Sequence, residues 1–164
     1  MSGRVLVAGV GNIFMSDDAF GCEVAQRLAR ETLPPHVVVE DYGIRGTHLA
    51  YELLAGYELA ILIDAVPHGE APGTLYVIEP DLAAAAGAEP NAHGMDLSNV
   101  FAMVRALGGT MPQTRIVGCE PATIDEAIGL SEPVERAVGA ALDLVRDLLA
   151  RPAGAARDPQ AIVS

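Results

Sequence analysis

The stretch Val5-Leu6-Val7-Ala8-Gly9-Val10-Gly11 decides the fold. A short, uninterrupted apolar run that ends in glycines predicts a buried parallel strand followed by a tight turn. From Ala19 to Leu33 apolar residues recur at helical spacing, and Pro34-Pro35 ends the predicted helix. A buried strand followed by an amphipathic helix is typical of α/β proteins.

The same alternation continues along the chain, with one exception. Apolar runs predict strands at 37–39, 59–63 and 115–119, and periodic segments predict helices at 47–55, 96–107 and 133–151, with Thr47 and Asp96 as caps. The run Thr74–Ile78 follows the strand 59–63 too soon for a crossover helix, so we predict an antiparallel strand in a mostly parallel sheet. Residues 1–151 are expected to form one α/β domain, and residues 152–164 a flexible C-terminal tail.

Composition excludes several classes of protein. The 164 residues carry ten arginines, no lysine and 22 acidic residues, a net charge of −12. Without lysine there is no Walker A phosphate loop and no lysine Schiff base, and the negative charge disfavours nucleic acid or an anionic membrane as partner. No apolar run reaches the roughly 18 residues of a membrane span, and we expect no secretory leader. Cys22 and Cys119 are the only cysteines, too few for a disulfide framework, and this indicates a reducing cytoplasm.

Polar residues gather where the predicted strands end. The first strand leads to Asp17-Asp18, the second to Asp41 and the third to Asp64, and the loop after the return strand contains His93. Ligands of open parallel sheets bind beyond the carboxyl ends of the strands. Carboxylates and an imidazole at this edge suit a borderline divalent cation.

Each of these residues also has a plain structural interpretation. Asp17 is expected to cap the first helix, which leaves Asp18 for function, and Asp64 alternatively accepts hydrogen bonds from loop amides. The histidine nearest to Asp64 in sequence, His68, competes with His93 as a ligand. In the predicted turn, Asp41 is explained by turn formation. For Arg45, contact with a substrate carboxylate and simple solvation of its charge are equally good explanations.

Several common sites are missing from the sequence. The segment Gly9–Phe14 starts like a dinucleotide-binding fingerprint but has Phe14 in place of the third glycine, and acidic residues follow it. There is no His-Glu-x-x-His helix, no Gly-x-Ser-x-Gly elbow and no zinc-ribbon cysteine pair. The residues alone therefore predict an acidic, metal-capable cleft on a small α/β domain.

Five segments in order resemble the hydrogenase maturation endopeptidases, which trim the precursor of the [NiFe]-hydrogenase large subunit. The segment Gly9–Gly21 resembles their G-x-G-N-x-L-x-x-D-[DE]-x-x-G pattern, and Asp41–Gly46 resembles their D-x-G-[TI]-x-G turn. The other three similar segments are Asp64-Ala65 with Ala71-Pro72-Gly73-Thr74, His93-Gly94, and Gly118-Cys119-Glu120-Pro121 with Gly129-Leu130-Ser131.

The resemblance implies a fold, a ligand set and an activity. The implied fold is a three-layer α/β/α sandwich around a five-stranded mixed sheet whose fourth strand is antiparallel. The implied nickel contacts are Asp18, where relatives carry Asp or Glu, with Asp64 and His93, and these three are also the expected catalytic residues. The nickel is expected to be the substrate's own ion, with no tightly held resident metal required.

The resemblance therefore implies a hydrolase that removes the C-terminal extension of the nickel-loaded large-subunit precursor, and we expect it to be cytoplasmic and monomeric. Aspartic-type chemistry, in which carboxylates activate water, and metal-assisted chemistry are both compatible with the residues. The rival hypothesis from another class is a non-catalytic, nickel-binding assembly factor of hydrogenase.

Overall fold

A computed structural model describes residues 3–83, 96–151 and 161–163. The opening apolar run forms strand β1, Val5–Val10, and all six of its residues are buried. A 3-10 helix, Ser16–Ala19, then leads into helix α1, Phe20–Leu28, whose apolar face packs on the sheet. Helix α1 ends at Leu28, five residues earlier than the sequence predicts.

The remaining elements follow the predicted order, except that the last strand is not among the predicted elements. They are β2 (Val37–Gly43), α2 (Gly46–Leu53), β3 (Leu59–Ala65), β4 (Leu75–Ile78), α3 (Leu97–Ala106), β5 (Gln113–Cys119), α4 (Glu132–Ala150) and β6 (Ala161–Val163). The predicted cap of α3 is confirmed, because Asp96 accepts a hydrogen bond from the backbone N–H of Ser98 at 2.9 Å. The predicted cap of α2 is wrong, because Arg45 is the N-cap residue and the Thr47 hydroxyl instead contacts the Met103 sulfur at 3.8 Å.

The strands lie in the order β2-β1-β3-β5-β4-β6. Strands β2, β1, β3 and β5 are parallel, and β4 runs antiparallel to β5, which confirms the prediction for the return strand. The carboxyl ends of β1, β2 and β3 therefore meet at one edge of the sheet, beside the start of β4.

Helices cover both faces of the sheet, because β1 and β3 are apolar on both sides. One layer contains α1 and α4, and its buried residues include Val7, Phe20, Val24, Leu28, Ile61, Ile63, Val117 and Val138. The other contains α2 and α3, with Leu6, Ala8, Val10, Leu49, Leu53, Leu62, Val100 and Val104. The three-layer α/β/α sandwich is confirmed. Within the described residues, no helix has the length and apolar character needed to cross a membrane.

Two glycines bring α1 against the sheet. A Cβ at Gly21 would collide with the carbonyl oxygens of Val10 and Ile63, and a Cβ at Gly9 would collide with the carbonyl oxygen of Gly21. The start of α1 therefore lies directly on the ends of β1 and β3, next to Asp64.

The segment predicted as a flexible tail includes a short strand. Residues 161–163 pair antiparallel with β4, in the register Leu75↔Val163 to Val77↔Ala161, as a sixth strand beyond the five predicted. Residues 152–160 lie outside the described part of the chain. Flexibility of the tail stays a prediction.

Arg151→stop is expected to leave precursor cleavage within about twofold of the full-length chain, because β6 is an edge strand that β5 and β4 separate from β3, and changes away from functional features usually have small effects. Helix α4 ends at Ala150, and the truncation removes only three described residues of strand pairing. Rates of cleavage and melting curves of both proteins check this. A truncated protein that folds and cannot cut contradicts it.

Candidate active site at the carboxyl ends of the strands

Asp18 lies on the 3-10 helix that follows β1. Its Oδ2 accepts a hydrogen bond from the backbone N–H of Asn12 at 2.8 Å, and Asn12 Oδ1 accepts one from Phe14 N–H at 2.9 Å. Gly11 has φ 141°, and a Cβ there would collide with the backbone carbonyl of Asp18. The glycine therefore lets the chain turn tightly enough to place the half-buried Asp18 at this edge.

Asp64 is the penultimate residue of β3 and is half-buried. Burial raises the pKa of its carboxyl well above the ordinary value, and the nearby charges of Asp18 and Asp96 add to this. A hydrogen bond from the N–H of Ala65 at 2.9 Å opposes the shift only in part. The structure thus brings Asp18 and Asp64 together, in a pair that a proton or a cation would stabilise.

Asp17 has a different role from the predicted helix cap. It is fully buried, and no side chain caps the 3-10 helix or α1. Its carboxylate accepts hydrogen bonds from Ala122 N–H (2.8 Å), Thr123 N–H (3.2 Å), Ser131 N–H (2.7 Å) and the Ser131 hydroxyl (2.8 Å). Burial disfavours its charge, but these bonds outweigh burial and the pKa is lowered. The cap prediction is therefore wrong.

Asp41, near the end of β2, and Arg45, just after it, shape the turn at this strand end. Asp41 Oδ1 accepts from Gly43 N–H at 2.9 Å, and its Oδ2 accepts from the Gln26 amide at 2.8 Å. The Arg45 guanidinium donates to the carbonyls of Asp41 (2.6 Å) and Tyr42 (3.1 Å). These contacts support the turn-forming interpretation of Asp41.

The segment 11–14 and the turn 41–45 enclose an open groove of about 320 Å³. Ile13, Phe14 and Ile44 line it with exposed fractions of 46%, 61% and 61%. Asn12, whose N–H donates to Asp18, is also part of its lining, and a groove with apolar walls suits an extended peptide.

His68 and Glu120 hold the loop between β3 and β4. The exposed His68 lies with its ring edge-on to Tyr76, at 5.3 Å between centroids. The buried Glu120 Oε1 accepts from the N–H groups of His68 (2.9 Å) and Glu70 (3.1 Å) and from the Tyr76 hydroxyl (2.6 Å). Burial disfavours the charge of Glu120, but the hydrogen bonds prevail and its pKa is lowered. The sequence shows Glu120 only as part of a motif, since its partners lie some 50 residues away.

Glu120→Gln is expected to destabilise the fold at neutral pH by about 1–3 kcal/mol, because hydrogen bonds to an ionised acceptor are the stronger ones. A lowered folded-state pKa contributes stability above the ordinary pKa of about 4.3 and loses it as the pH falls through the folded value. The difference between wild type and variant should therefore shrink below about pH 4. Denaturant unfolding at several pH values measures it, with the exposed Glu70→Gln as the control. A difference that grows in acid contradicts the assignment.

The two cysteines are free, buried core residues, as predicted. The Cys22 thiol donates to the carbonyl of Gly11 at 3.5 Å. Burial raises the pKa of both thiols, that of Cys119 to about 12, so neither is a ready nucleophile.

His93 lies outside the described residues, so its predicted place beside Asp18 and Asp64 stays a prediction. Among residues 3–83, 96–151 and 161–163, no three His, Cys, Asp or Glu side chains form a group that could hold a metal ion.

The fold and the carboxylate pair define an α/β protein with a candidate hydrolytic site at the sheet edge, and comparison with known proteins identifies the class. The sequence model described as hydrogenase maturation protease matches residues 22–148. The hydrogenase 2 maturation protease of Escherichia coli is 31% identical over 144 residues, covering 87% of this chain and 88% of the relative. The hydrogenase expression/formation protein HupD of Rhodobacter capsulatus is 32% identical over 133 residues, covering 79% of this chain and 63% of the relative.

Comparison with solved structures leads to the same family. The hydrogenase maturating endopeptidase HybD of E. coli superimposes with a TM-score of 0.76 at 30% identity, covering 89% of this chain and 91% of that one. A hydrogenase 2 maturation peptidase from a Thaumarchaeota archaeon gives 0.69 at 34% identity, with 89% and 97% covered. The chain belongs to the hydrogenase maturation protease family, and is a peptidase by membership.

Proposed function

We propose that this protein cuts the C-terminal extension from the nickel-loaded precursor of a [NiFe]-hydrogenase large subunit. The observation that carries the proposal is the Asp18–Asp64 pair at the sheet edge, in a chain of the maturation protease family. The groove between segment 11–14 and turn 41–45 gives the extension a place to lie, and its lining includes Asn12, the hydrogen-bond partner of Asp18.

Asp18, Asp64 and His93 contact the nickel that the precursor carries. Two carboxylates held together at a cost in electrostatic free energy favour the approach of a cation. Asp96, which follows His93 by three residues in the sequence, lies close enough to Asp64 to raise the pKa of its carboxyl. Three ligands from the protease leave other coordination positions of the ion to the precursor.

The nickel of a docked precursor would act on the pKa of Asp64. A nearby cation favours the ionised form of a carboxyl and so opposes the burial that raises this pKa. The Asp64 carboxylate then either stays on the ion, in a metal-assisted cleavage, or accepts a proton from the attacking water, as in an aspartic-type cleavage. Precursor without nickel does not supply this stabilisation of the carboxylate.

Asp18→Asn and His93→Gln test the assignment of ligands. Both variants keep the side-chain size, and both are expected to lower cleavage of nickel-loaded precursor by about 100-fold or more. Glu126→Gln, an exposed change on the loop 120–131, serves as the control and should cut at the wild-type rate. Full activity of either site variant removes that residue from the site.

We also propose that the protein acts in the cytoplasm as a monomer, with the hydrogenase precursor as its partner. Its two buried free thiols fit a reducing compartment.

A further inference from the structure

The turn that carries Asp18 is joined to the loop 120–131, between β5 and α4. The backbone N–H of Ser16 donates to the carbonyl of Ala127 at 2.9 Å, and Ala127 N–H donates to the carbonyl of Phe14 at 3.0 Å. The N–H of Asp17 donates to the carbonyl of Thr123 at 3.2 Å. Two segments more than 100 residues apart in sequence therefore form one unit beside the candidate site.

The backbone of this turn adopts a conformation that it would rarely hold alone. Ser16 has φ 52°, the only positive φ among the described non-glycine residues. A left-handed serine costs free energy and persists only where surrounding contacts impose it. The Ser16 hydroxyl donates to the carbonyl of Asp125 at 2.7 Å, so the loop 120–131 supplies part of that constraint.

Asp17 supplies the rest of this constraint on the turn. All four hydrogen bonds that its carboxylate accepts come from Ala122, Thr123 and Ser131, and none comes from its own helix. The side chain is fully buried, so water does not replace a lost partner. Because Asp18 is the next residue, the direction of its carboxylate depends on how firmly Asp17 is held.

We propose that Asp17 is a positioning residue, which fixes Asp18 in the direction needed for cleavage by anchoring its turn to residues 122–131. It does not itself contact the substrate. This inference rests on the proposed function, because it takes Asp18 to be a residue that acts in precursor cleavage. A misplacement of about 1 Å at a catalytic centre can lower the rate by about 100-fold, so the anchor affects kcat strongly.

Asp17→Asn is the principal test, with Ser131→Ala as the milder variant. In Asp17→Asn an amide NH2 group, which donates, replaces the carboxylate oxygen that accepts from the N–H of Ser131. Ser131→Ala removes only the hydrogen bond from the Ser131 hydroxyl. At a temperature where all variants are folded, we expect kcat to fall by about 100-fold in Asp17→Asn and about fivefold in Ser131→Ala. KM for the precursor should stay within about twofold, because Asp17 makes no contact with substrate.

Val145→Ala is the control for stability alone. Val145 is fully buried on α4, away from the turn, so the variant loses stability without loosening residues 12–18. If Val145→Ala lowers kcat as much as Asp17→Asn at an equal loss of melting temperature, the positioning role is overturned.

Hydrogen–deuterium exchange gives a readout that does not need cleavage. In Asp17→Asn, residues 12–18 and 122–128 should exchange faster together, while the strands keep their protection. Unchanged exchange in both segments overturns the anchor even if the variant cuts poorly. If Asp17→Asn exchanges faster and the wild-type protein cuts no precursor, the anchor is upheld and only the proposed function fails, so the two failures are distinguishable.

Discussion

Asp64→Asn is expected to lower the rate of precursor cleavage by about 100-fold or more without loss of the fold. Asparagine has the size of aspartate and still accepts the hydrogen bond from Ala65 N–H. What it loses is the negative charge and the ability to take a proton, which nickel contact and general-base chemistry require. Cleavage rates on nickel-loaded precursor and the melting temperature of each protein are the measurements.

The same substitution should leave stability unchanged or improve it at neutral pH. Burial and the charge of Asp18 hold the pKa of Asp64 above its ordinary value. Such a group supports the fold below its unfolded pKa, near 3.9, and loses that contribution as the pH rises through the folded value. Asp64→Asn should therefore remove a part of the wild-type decline in stability as the pH rises above about 4.

A matched control is Asp143→Asn, an exposed aspartate on α4 that pairs with Arg146. Asp143→Asn should cleave the precursor at the wild-type rate. His93→Ala should lose cleavage activity, as Asp64→Asn does. Normal cleavage by Asp64→Asn and His93→Ala would overturn the site assignment.

Gly21→Ala is expected to destabilise the protein by about 3 kcal/mol, equivalent to about 6–12 °C in melting temperature for a chain of this size. The added methyl group collides with the carbonyl oxygens of Val10 and Ile63, which belong to rigid strands. Relief requires α1 to move away from β3. That movement carries the neighbouring Asp18 away from Asp64, so cleavage should also fall at temperatures where the variant is folded.

Gly139→Ala is the matched control, since a Cβ at this exposed position of α4 meets no atom within 4 Å. Replacing glycine by alanine inside a helix should stabilise it by about 0.5–1 kcal/mol. Thermal melting of both variants separates the close contact from the general effect of glycine in a helix. Equal melting temperatures for Gly21→Ala and wild type would mean that α1 does not lie against the strand ends as described.

The elements that the sequence predicts correctly are those whose signal is local. Uninterrupted apolar runs mark β1 and β3 because both faces of these strands are buried, and the short loop before Thr74 forces the antiparallel β4. The polar residue at the end of such a run lies at the sheet edge by topology alone. For that reason the pair Asp17-Asp18 and Asp64 could be placed at this edge before the structure was known.

The features that the sequence misses depend on distant partners. Asp17 looks like a helix cap because the acceptor chemistry is the same, but its donors come from residues 122–131. Glu120 collects amides from the loop 68–70, and strand β6 pairs with β4 from the far end of the chain. No periodicity or local motif reports contacts of this kind, because they exist only once the sheet has assembled.

The most direct measurement of the central claim is intact-mass spectrometry of the cognate large-subunit precursor, with and without nickel, after incubation with this protein. The proposed nickel contact by Asp18, Asp64 and His93 predicts loss of one C-terminal peptide from the nickel-loaded precursor only. Cleavage regardless of nickel would contradict the metal contact while keeping the peptidase. An unchanged mass of the nickel-loaded cognate precursor would contradict the proposed cleavage itself and favour a non-catalytic assembly factor.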